Sequence, residues 1–286
     1  MDGIIVVNKP KGCTSHDVVY KVRRIVKEKV GHTGTLDPLA TGVLPLLIGK
    51  GTLCSKYLIN HDKEYQVSLK LGIATDTMDA EGKVVEEKEV DSSILEKSNV
   101  EKTLSSFIGK QEQEPPMYSA IKVKGKKLYE YARRGEKVEV PKREIEIYNM
   151  ELIGINKLNK EIEFKVSCSK GTYIRSLCTD IAKALGTIGY MSGLERLKVG
   201  EFTLKNSIVV NDSTDREVIE KNIITVEELF KDKGKIELDS KKLLLFLNGV
   251  KLSYENIDGV YRIYNLGKFI GLGVVKNKFL KRDIVL

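Results

Sequence analysis

The residues best suited to chemistry lie in one glycine-rich stretch, Gly31-His-Thr-Gly-Thr-Leu-Asp-Pro-Leu-Ala-Thr-Gly-Val-Leu-Pro45. Its glycines allow tight backbone and the close approach of a ligand. Asp37 precedes Pro38, which biases it toward extended backbone and away from helix. A carboxylate on such a loop, beside an apolar strand, is placed to act on a bound substrate as nucleophile or proton acceptor. The same spacing also describes an ordinary Asp-Pro turn whose carboxylate bonds its own backbone, and the residues alone leave both readings open. Arg175 falls in the first turn of a helix predicted after Gly171. A cation there opposes the helix dipole, so an anionic partner is expected. Tyr65 occupies the inward face of an alternating strand, which on its own describes a core tyrosine.

Other motifs fail on spacing. Between Gly42 and Gly49-Lys50 stand six residues where a phosphate loop needs about four, and Gly51 takes the place of the Mg²⁺-binding Ser or Thr. Gly267, Gly271 and Gly273 do not make a dinucleotide fingerprint, and no Ser sits in a G-x-S-x-G elbow. No metal, nucleotide or flavin signature is present, so the expectation is side-chain chemistry without a cofactor.

The elements that must position these groups read as mixed α and β. Residues 3–7 form a short apolar strand, and residues 15–30 a helix with Ser15 as N-cap and Val18, Val22, Ile25 and Val26 on one face. Residues 43–48 read as a buried strand, 52–60 as a short helix, and 91–108 as a surface helix. Strict alternation marks residues 64–71 and 161–169 as half-buried strands. The helix after Gly171 runs to Leu185, where Gly186 stops it. Residues 260–264, 269–275 and 279–286 are short strands of a small all-β module, with a boundary near the charged stretch 231–235.

Composition bounds the class. The chain has 286 residues, of which 41% are hydrophobic, enough for one large domain or a large and a small one. Four cysteines (Cys13, Cys54, Cys168, Cys178) without a C-x-x-C pair, and only three histidines, exclude the usual zinc frameworks and a disulfide scaffold. The longest apolar runs are far too short for a bilayer, and no signal peptide is visible, so a soluble cytoplasmic protein is expected. The net charge of +8 suits a polyanionic partner. It concentrates in residues 118–143, where nine cations, among them Lys126, Lys127, Arg133 and Lys137, face three glutamates, with Tyr118, Tyr129 and Tyr131 interleaved. Clustered cations beside aromatics can track a phosphate backbone and offer stacking faces. A solvated charged surface is the plainer alternative.

The residues now carry a resemblance. Residues 31–45 resemble the signature of the TruB family of tRNA pseudouridine synthases. So, in family order, do Val7-Asn-Lys-Pro-Lys-Gly12 with Thr14-Ser15, Lys63-Glu-Tyr65, Thr75-Asp-Thr77 with Asp79-Ala-Glu-Gly82, and Pro116-Met-Tyr-Ser-Ala-Ile-Lys122. Gly125-Lys-Lys-Leu-Tyr-Glu-Tyr-Ala-Arg133, Cys168-Ser-Lys-Gly-Thr-Tyr-Ile-Arg175 and Leu194-Glu-Arg-Leu197 continue the series. Any one piece is weak; the ordered set is specific. Residues 261–286 are similar to the PUA-like RNA-binding ends of bacterial members. Leu39-Ala40 after Asp37-Pro38, and the modest length, resemble bacterial members rather than guide-RNA-dependent relatives.

The resemblance implies an α+β catalytic domain over residues 1–232 with a mixed, largely antiparallel sheet, a basic thumb inserted at about 118–143, and a PUA-like module over 233–286. It implies isomerisation of the T-loop uridine at tRNA position 55 to pseudouridine, on a flipped-out base, without cofactor or metal. By resemblance Asp37 is the nucleophile, Arg175 its cationic partner and Tyr65 the ring that stacks on the target base and a candidate to help remove the C5 proton. Tyr173 and Leu194 then contact the flipped nucleotide, and His32 fills the space it vacates. Lys126, Lys127 and Arg133 belong to the thumb that grips the tRNA T-arm. A monomer with no obligate protein or guide-RNA partner is expected. The alternative is a non-catalytic tRNA-binding or folding protein, which has no need of a nucleophile at Asp37.

Overall fold

The computed structural model describes residues 1–136, 138–255 and 257–286. Lys137 of the basic segment lies outside the described residues. The fold is α+β. Its large sheet runs, in spatial order, through the strands Ile224–Thr225, Gly3–Lys9, Thr41–Ile48, Gly189–Val199, Lys63–Leu71, Glu161–Cys168, Arg143–Asn156 and Gly109–Gln113. The pairing is antiparallel throughout that path except between Thr41–Ile48 and Gly189–Val199, which touch in parallel at only two positions, Thr41 with Glu195 and Gly42 with Arg196. The sheet therefore has two halves joined by a short parallel seam.

Each half follows from its sequence pattern. In Lys63–Leu71 and Glu161–Cys168 alternate residues are buried, and Val67 pairs with Phe164, Leu69 with Ile162. The helix Ile174–Ala184 covers this face through Leu177, Cys178 and Ile181, all fully buried. Gly3–Lys9 and Thr41–Ile48 are instead continuous apolar runs, as expected of strands covered on both faces. One face meets the helix Ser15–Val26 through Val18, Val19, Val22 and Val26. The other face shares a core with Leu272 and Ile284 of the C-terminal sheet. That sheet has five strands, in the order Gly234–Glu237, Gly259–Asn265, Lys268–Lys276, Phe279–Val285 and Leu252–Ser253, with one added helix, Ser240–Leu247. Among the described residues no helix is long and apolar enough to cross a membrane.

Several boundaries differ from the sequence reading. The first helix ends at Val26, not residue 30: Lys27 turns left-handed (φ 58°) and Val30–His32 pairs as a strand with Thr41–Ile48. Its N-cap is Thr14, not Ser15. Thr14 accepts from the Asp17 amide at 3.1 Å while Asp17 accepts from the Thr14 amide at 2.8 Å, a reciprocal capping box. Residues expected as one helix over 52–60 split into a 3₁₀ turn, Gly49–Cys54, and a single α turn, Ser55–Leu58. The helix expected over 91–108 begins with a 3₁₀ turn, Ser92–Leu95, breaks at Glu96, and buries Val100 and Leu104 of Lys97–Ser106.

Candidate active site

The loop carrying Asp37 enters the strand Thr41–Ile48 at the parallel seam and is held from three directions. From the first strand, the buried Lys9 ammonium donates to the carbonyls of Ala40 (2.7 Å), Pro10 (2.9 Å) and Pro38 (3.2 Å). From the first helix, the Ser15 hydroxyl accepts from the Leu36 amide (2.8 Å) and donates to the Leu36 carbonyl (3.1 Å). This is why Thr14 caps the helix: the Ser15 hydroxyl is engaged with the loop. From across the seam, Arg196 donates to the carbonyls of Val43 (Nε, 2.7 Å), Gly34 (Nη2, 3.1 Å) and Thr35 (Nη1, 3.4 Å). A turn closes at Asp37, whose carbonyl accepts from Ala40 at 3.0 Å. Gly42 is required here. Its φ is +107°, and a Cβ would overlap the Arg196 carbonyl.

The Asp-Pro turn is thus present, but its carboxylate does not fold back on the backbone. It meets Arg175, whose Nε lies 3.0 Å from Oδ2 and whose Nη2 donates to Oδ1 at 3.2 Å. This is the bidentate fork that a planar guanidinium and a carboxylate favour. Arg175, the second residue of its helix, is buried, and its remaining donors reach the carbonyls of Tyr118 (3.0 Å) and Thr77 (3.3 Å). A second buried carboxylate, Asp79, stands 3.7 Å from Nη1. Asp79 is itself fixed by the Thr77 hydroxyl at 2.5 Å and the Glu81 amide at 3.1 Å. The anionic partner expected for a cation at this helix start is therefore a pair of carboxylates. Burial pushes the Asp37 carboxyl above its ordinary range, Arg175 opposes that shift, and the nearby Asp79 adds to it.

The acid–arginine pair sits in a cavity of about 440 Å³, within the size range of small-ligand sites. Tyr65, Tyr173 and Leu194 line it together with Asp37 and Arg175, so five of the residues singled out from sequence converge. Tyr65 faces Arg196 directly across the strand pair, and its hydroxyl lies against the guanidinium. Burial pushes the Tyr65 phenol up to about 12 although Arg196 pulls the other way, so it stays protonated at neutral pH. Tyr173 is the N-cap of the arginine-bearing helix. Its amide donates to the Gln113 side-chain oxygen at 2.8 Å, and its carbonyl accepts from the Gln113 amide nitrogen at 3.1 Å.

The basic segment 118–143 brings Tyr118 and Tyr129 into the lining, while Lys126, Lys127 and Arg133 stay outside it. Lys126–Lys127 is one strand of a two-stranded ribbon, and Arg133 ends the helix Leu128–Arg133. Lys127 and Arg133 both sit over the Tyr129 ring, at 5.3 and 5.4 Å from its centroid. His32 ends the strand Val30–His32 beside the lining loop. Its Nδ1 is buried without a partner among the described residues, and burial pulls its imidazole below the ordinary histidine range.

Sequence reasoning missed Asp79, Lys9, Arg196, Gln113 and the loop contact of Ser15 as site residues. A signal existed for Arg196: it lies two positions from Leu194, on the inward face of an alternating strand, where a charge demands a purpose. Replacing Arg196 by methionine keeps most of the apolar stem and strands two loop carbonyls, Gly34 and Thr35, and the strand carbonyl of Val43. Hydrogen bonds to charged groups contribute about 1.5–3 kcal/mol each, so the expected loss is about 3 kcal/mol or more. Urea unfolding checks this; an unchanged midpoint would show that the guanidinium does not hold the loop.

Residues 23–174 match the TruB family pseudouridylate synthase N-terminal domain. A tRNA pseudouridine synthase B of Clostridium tetani is 47% identical over 280 residues, covering 96% of this chain and 95% of the relative. Its counterpart in Oceanobacillus iheyensis is 46% identical over 263 residues, covering 89% and 85%. Among solved structures, a chain of an H/ACA RNP bound to a substrate RNA containing 2'-deoxyuridine superposes with a TM-score of 0.68 at 22% identity, covering 99% of this chain and 85% of that one. A chain of a Cbf5–Nop10–Gar1 complex gives 0.67 at 24%, covering 99% and 83%. At such identities the likeness is one of fold. The near full-length identity to the bacterial enzymes goes further, and with the domain match it makes this chain a member of the TruB family of pseudouridylate synthases.

Proposed function

We propose that the chain converts the T-loop uridine at position 55 of tRNA to pseudouridine, acting as a monomer without a guide RNA. The observation that carries the reading is the half-buried Asp37 carboxylate, gripped by the buried Arg175 at the wall of a nucleotide-sized cavity beside Tyr65. In this isomerisation the N1–C1′ bond breaks and a C5–C1′ bond forms. A proton leaves C5 and N1 gains one, so no oxidant, reductant or energy source is needed. A cation-paired carboxylate that opens onto the cavity supplies the covalent catalysis such a bond exchange calls for. A protein that only binds RNA gains nothing from an acid fixed in that position.

The other residues take roles that follow from their places. Tyr65 lines the cavity beside Asp37 with its phenol protonated at neutral pH. It stacks on the uracil, while Tyr173 and Leu194 pack against the flipped nucleotide. Extruding a base costs a few kcal/mol of stacking. His32, at the rim with an unpartnered Nδ1, offsets part of that by filling the vacated space. The thumb cations Lys126, Lys127 and Arg133 hold the T-arm backbone, supported by their grouping around Tyr129 and Tyr131.

The test is tritium release from [5-³H]uridine in a T-arm stem-loop and in full-length tRNA. Release confined to the position-55 uridine supports the reading. Release from other uridines at equal rates, or none despite tight binding, overturns it.

A further inference from the structure

We propose that the outer face of the first helix is a second grip on the RNA backbone, engaging the part of a folded tRNA beyond the stem-loop that carries the target uridine. The proposal rests on the tRNA reading above. His16, Tyr20, Arg23, Arg24 and Lys27 recur at helical spacing on the face opposite the buried valines, and all five are exposed. Tyr20 is 51% exposed, an unusual amount for an aromatic on a short helix. The Arg23 and Arg24 guanidinium carbons lie 5.6 and 5.9 Å from its ring centroid. Among the described residues neither arginine, nor Lys27, makes an ion pair. The acids nearby are engaged: Asp17 in the capping box and Asp212 with Lys21 at 2.7 Å. Three free cations and an exposed ring form the combination that phosphates and bases bind.

The placement of the helix decides which RNA it meets. Its first turn is bonded to the nucleophile loop through Ser15 and Leu36. From there it runs beside the strand Thr41–Ile48 to its end at Val26, and past that end the Lys29 carbonyl accepts from the Gly49 amide at 2.8 Å. From His16 to Lys27 that is about 16 Å of cationic face, at about 1.5 Å per residue, leading away from the cavity. The thumb, which lines another wall through Tyr118, Ser119 and Tyr129, already serves the RNA next to the target. A face that departs from the cavity on the nucleophile-loop side needs RNA that extends past the stem-loop. A groove of about 510 Å³ between Tyr20, Arg24 and the turn at Asn211 and Thr214, with the engaged acids Asp17 and Asp212 also in its lining, leaves room for backbone beside the ring.

The test compares full-length tRNA with the isolated T-arm stem-loop, for wild type and for Arg23→Glu with Arg24→Glu. Dissociation constants are measured across a salt series. The expected result is at least about tenfold weaker binding of full-length tRNA, with a salt slope shallower by about 1.4 to 1.8, since each of two phosphate contacts contributes about 0.7–0.9. Stem-loop affinity stays within twofold, and tritium release from saturating stem-loop is unchanged. Arg23→Gln with Arg24→Gln, which adds no repulsion, gives the same pattern with a smaller loss, and thermal melts confirm that both variants fold. Unchanged full-length binding overturns the proposal, as does an equal loss on the stem-loop. If wild type neither binds nor isomerises either RNA, the tRNA reading itself falls and takes this one with it.

Discussion

Asp37→Asn is expected to reduce isomerisation by at least about 10⁴-fold at saturating RNA, the scale on which loss of a catalytic nucleophile is felt. Asparagine keeps the shape of the side chain and one acceptor for Arg175. The turn at Asp37 and the clamps from Lys9, Ser15 and Arg196 act on backbone, so the loop retains its form. RNA affinity therefore stays within a few-fold, or rises slightly as an anion leaves a site facing phosphates. Single-turnover tritium release and filter binding on the same preparation check both halves. Equal release by variant and wild type would remove Asp37 from the chemistry. Lost binding would make it a structural residue instead.

Arg175→Gln is expected to lower the neutral-pH rate by about 10²–10³, the usual effect of removing one preorganised charge partner, and to change the pH profile in a stated direction. In the proposed mechanism Asp37 reacts as the carboxylate. Burial raises its folded pKa above the ordinary value and Arg175 works against that rise, with Asp79 close by as a further anion. Activity in wild type therefore falls on the acid side with a limb displaced above the usual aspartate range. Without the guanidinium the larger of the two opposing cations is gone, Lys9 alone works against burial and the Asp79 charge, and the limb moves to higher pH. Part of the neutral-pH loss is then recovered in more alkaline buffer. Arg175→Lys, which keeps the charge but not the fork, falls between the two. Single-turnover rates across pH measure this; coincident acid limbs in wild type and Arg175→Gln would show that the arginine does not tune the acid.

The two experiments separate roles that a contact list merges. In the proposed reading Asp37 carries the chemistry and Arg175 sets its charge state, while Arg196 bonds the loop carbonyls of Gly34 and Thr35. Loss of Arg196 is read first in unfolding, whereas loss of Arg175 is read in the pH profile.

Much of this site was legible in the chain. The glycine-rich loop around Asp37, the alternation that places Tyr65 on the inward face, and the start of the arginine-bearing helix all arise from local rules of backbone freedom and side-chain period. The thumb's charge was equally plain, because composition needs no fold. What only the tertiary structure decided was partnership. Arg175 meets Asp37 across 138 residues of chain. Asp79 joins them from a third segment, and Arg196 reaches the loop only because the two sheet halves meet in a two-residue parallel seam. The Ser15 hydroxyl, which sequence assigns to a helix cap, goes to Leu36 instead, because a buried loop amide and carbonyl outbid an exposed helix end that Thr14 can satisfy equally well. Propensity and periodicity describe neighbours along the chain. A buried charge or hydroxyl is settled by whichever distant group the topology delivers to it, since leaving it unpartnered costs more than any local preference.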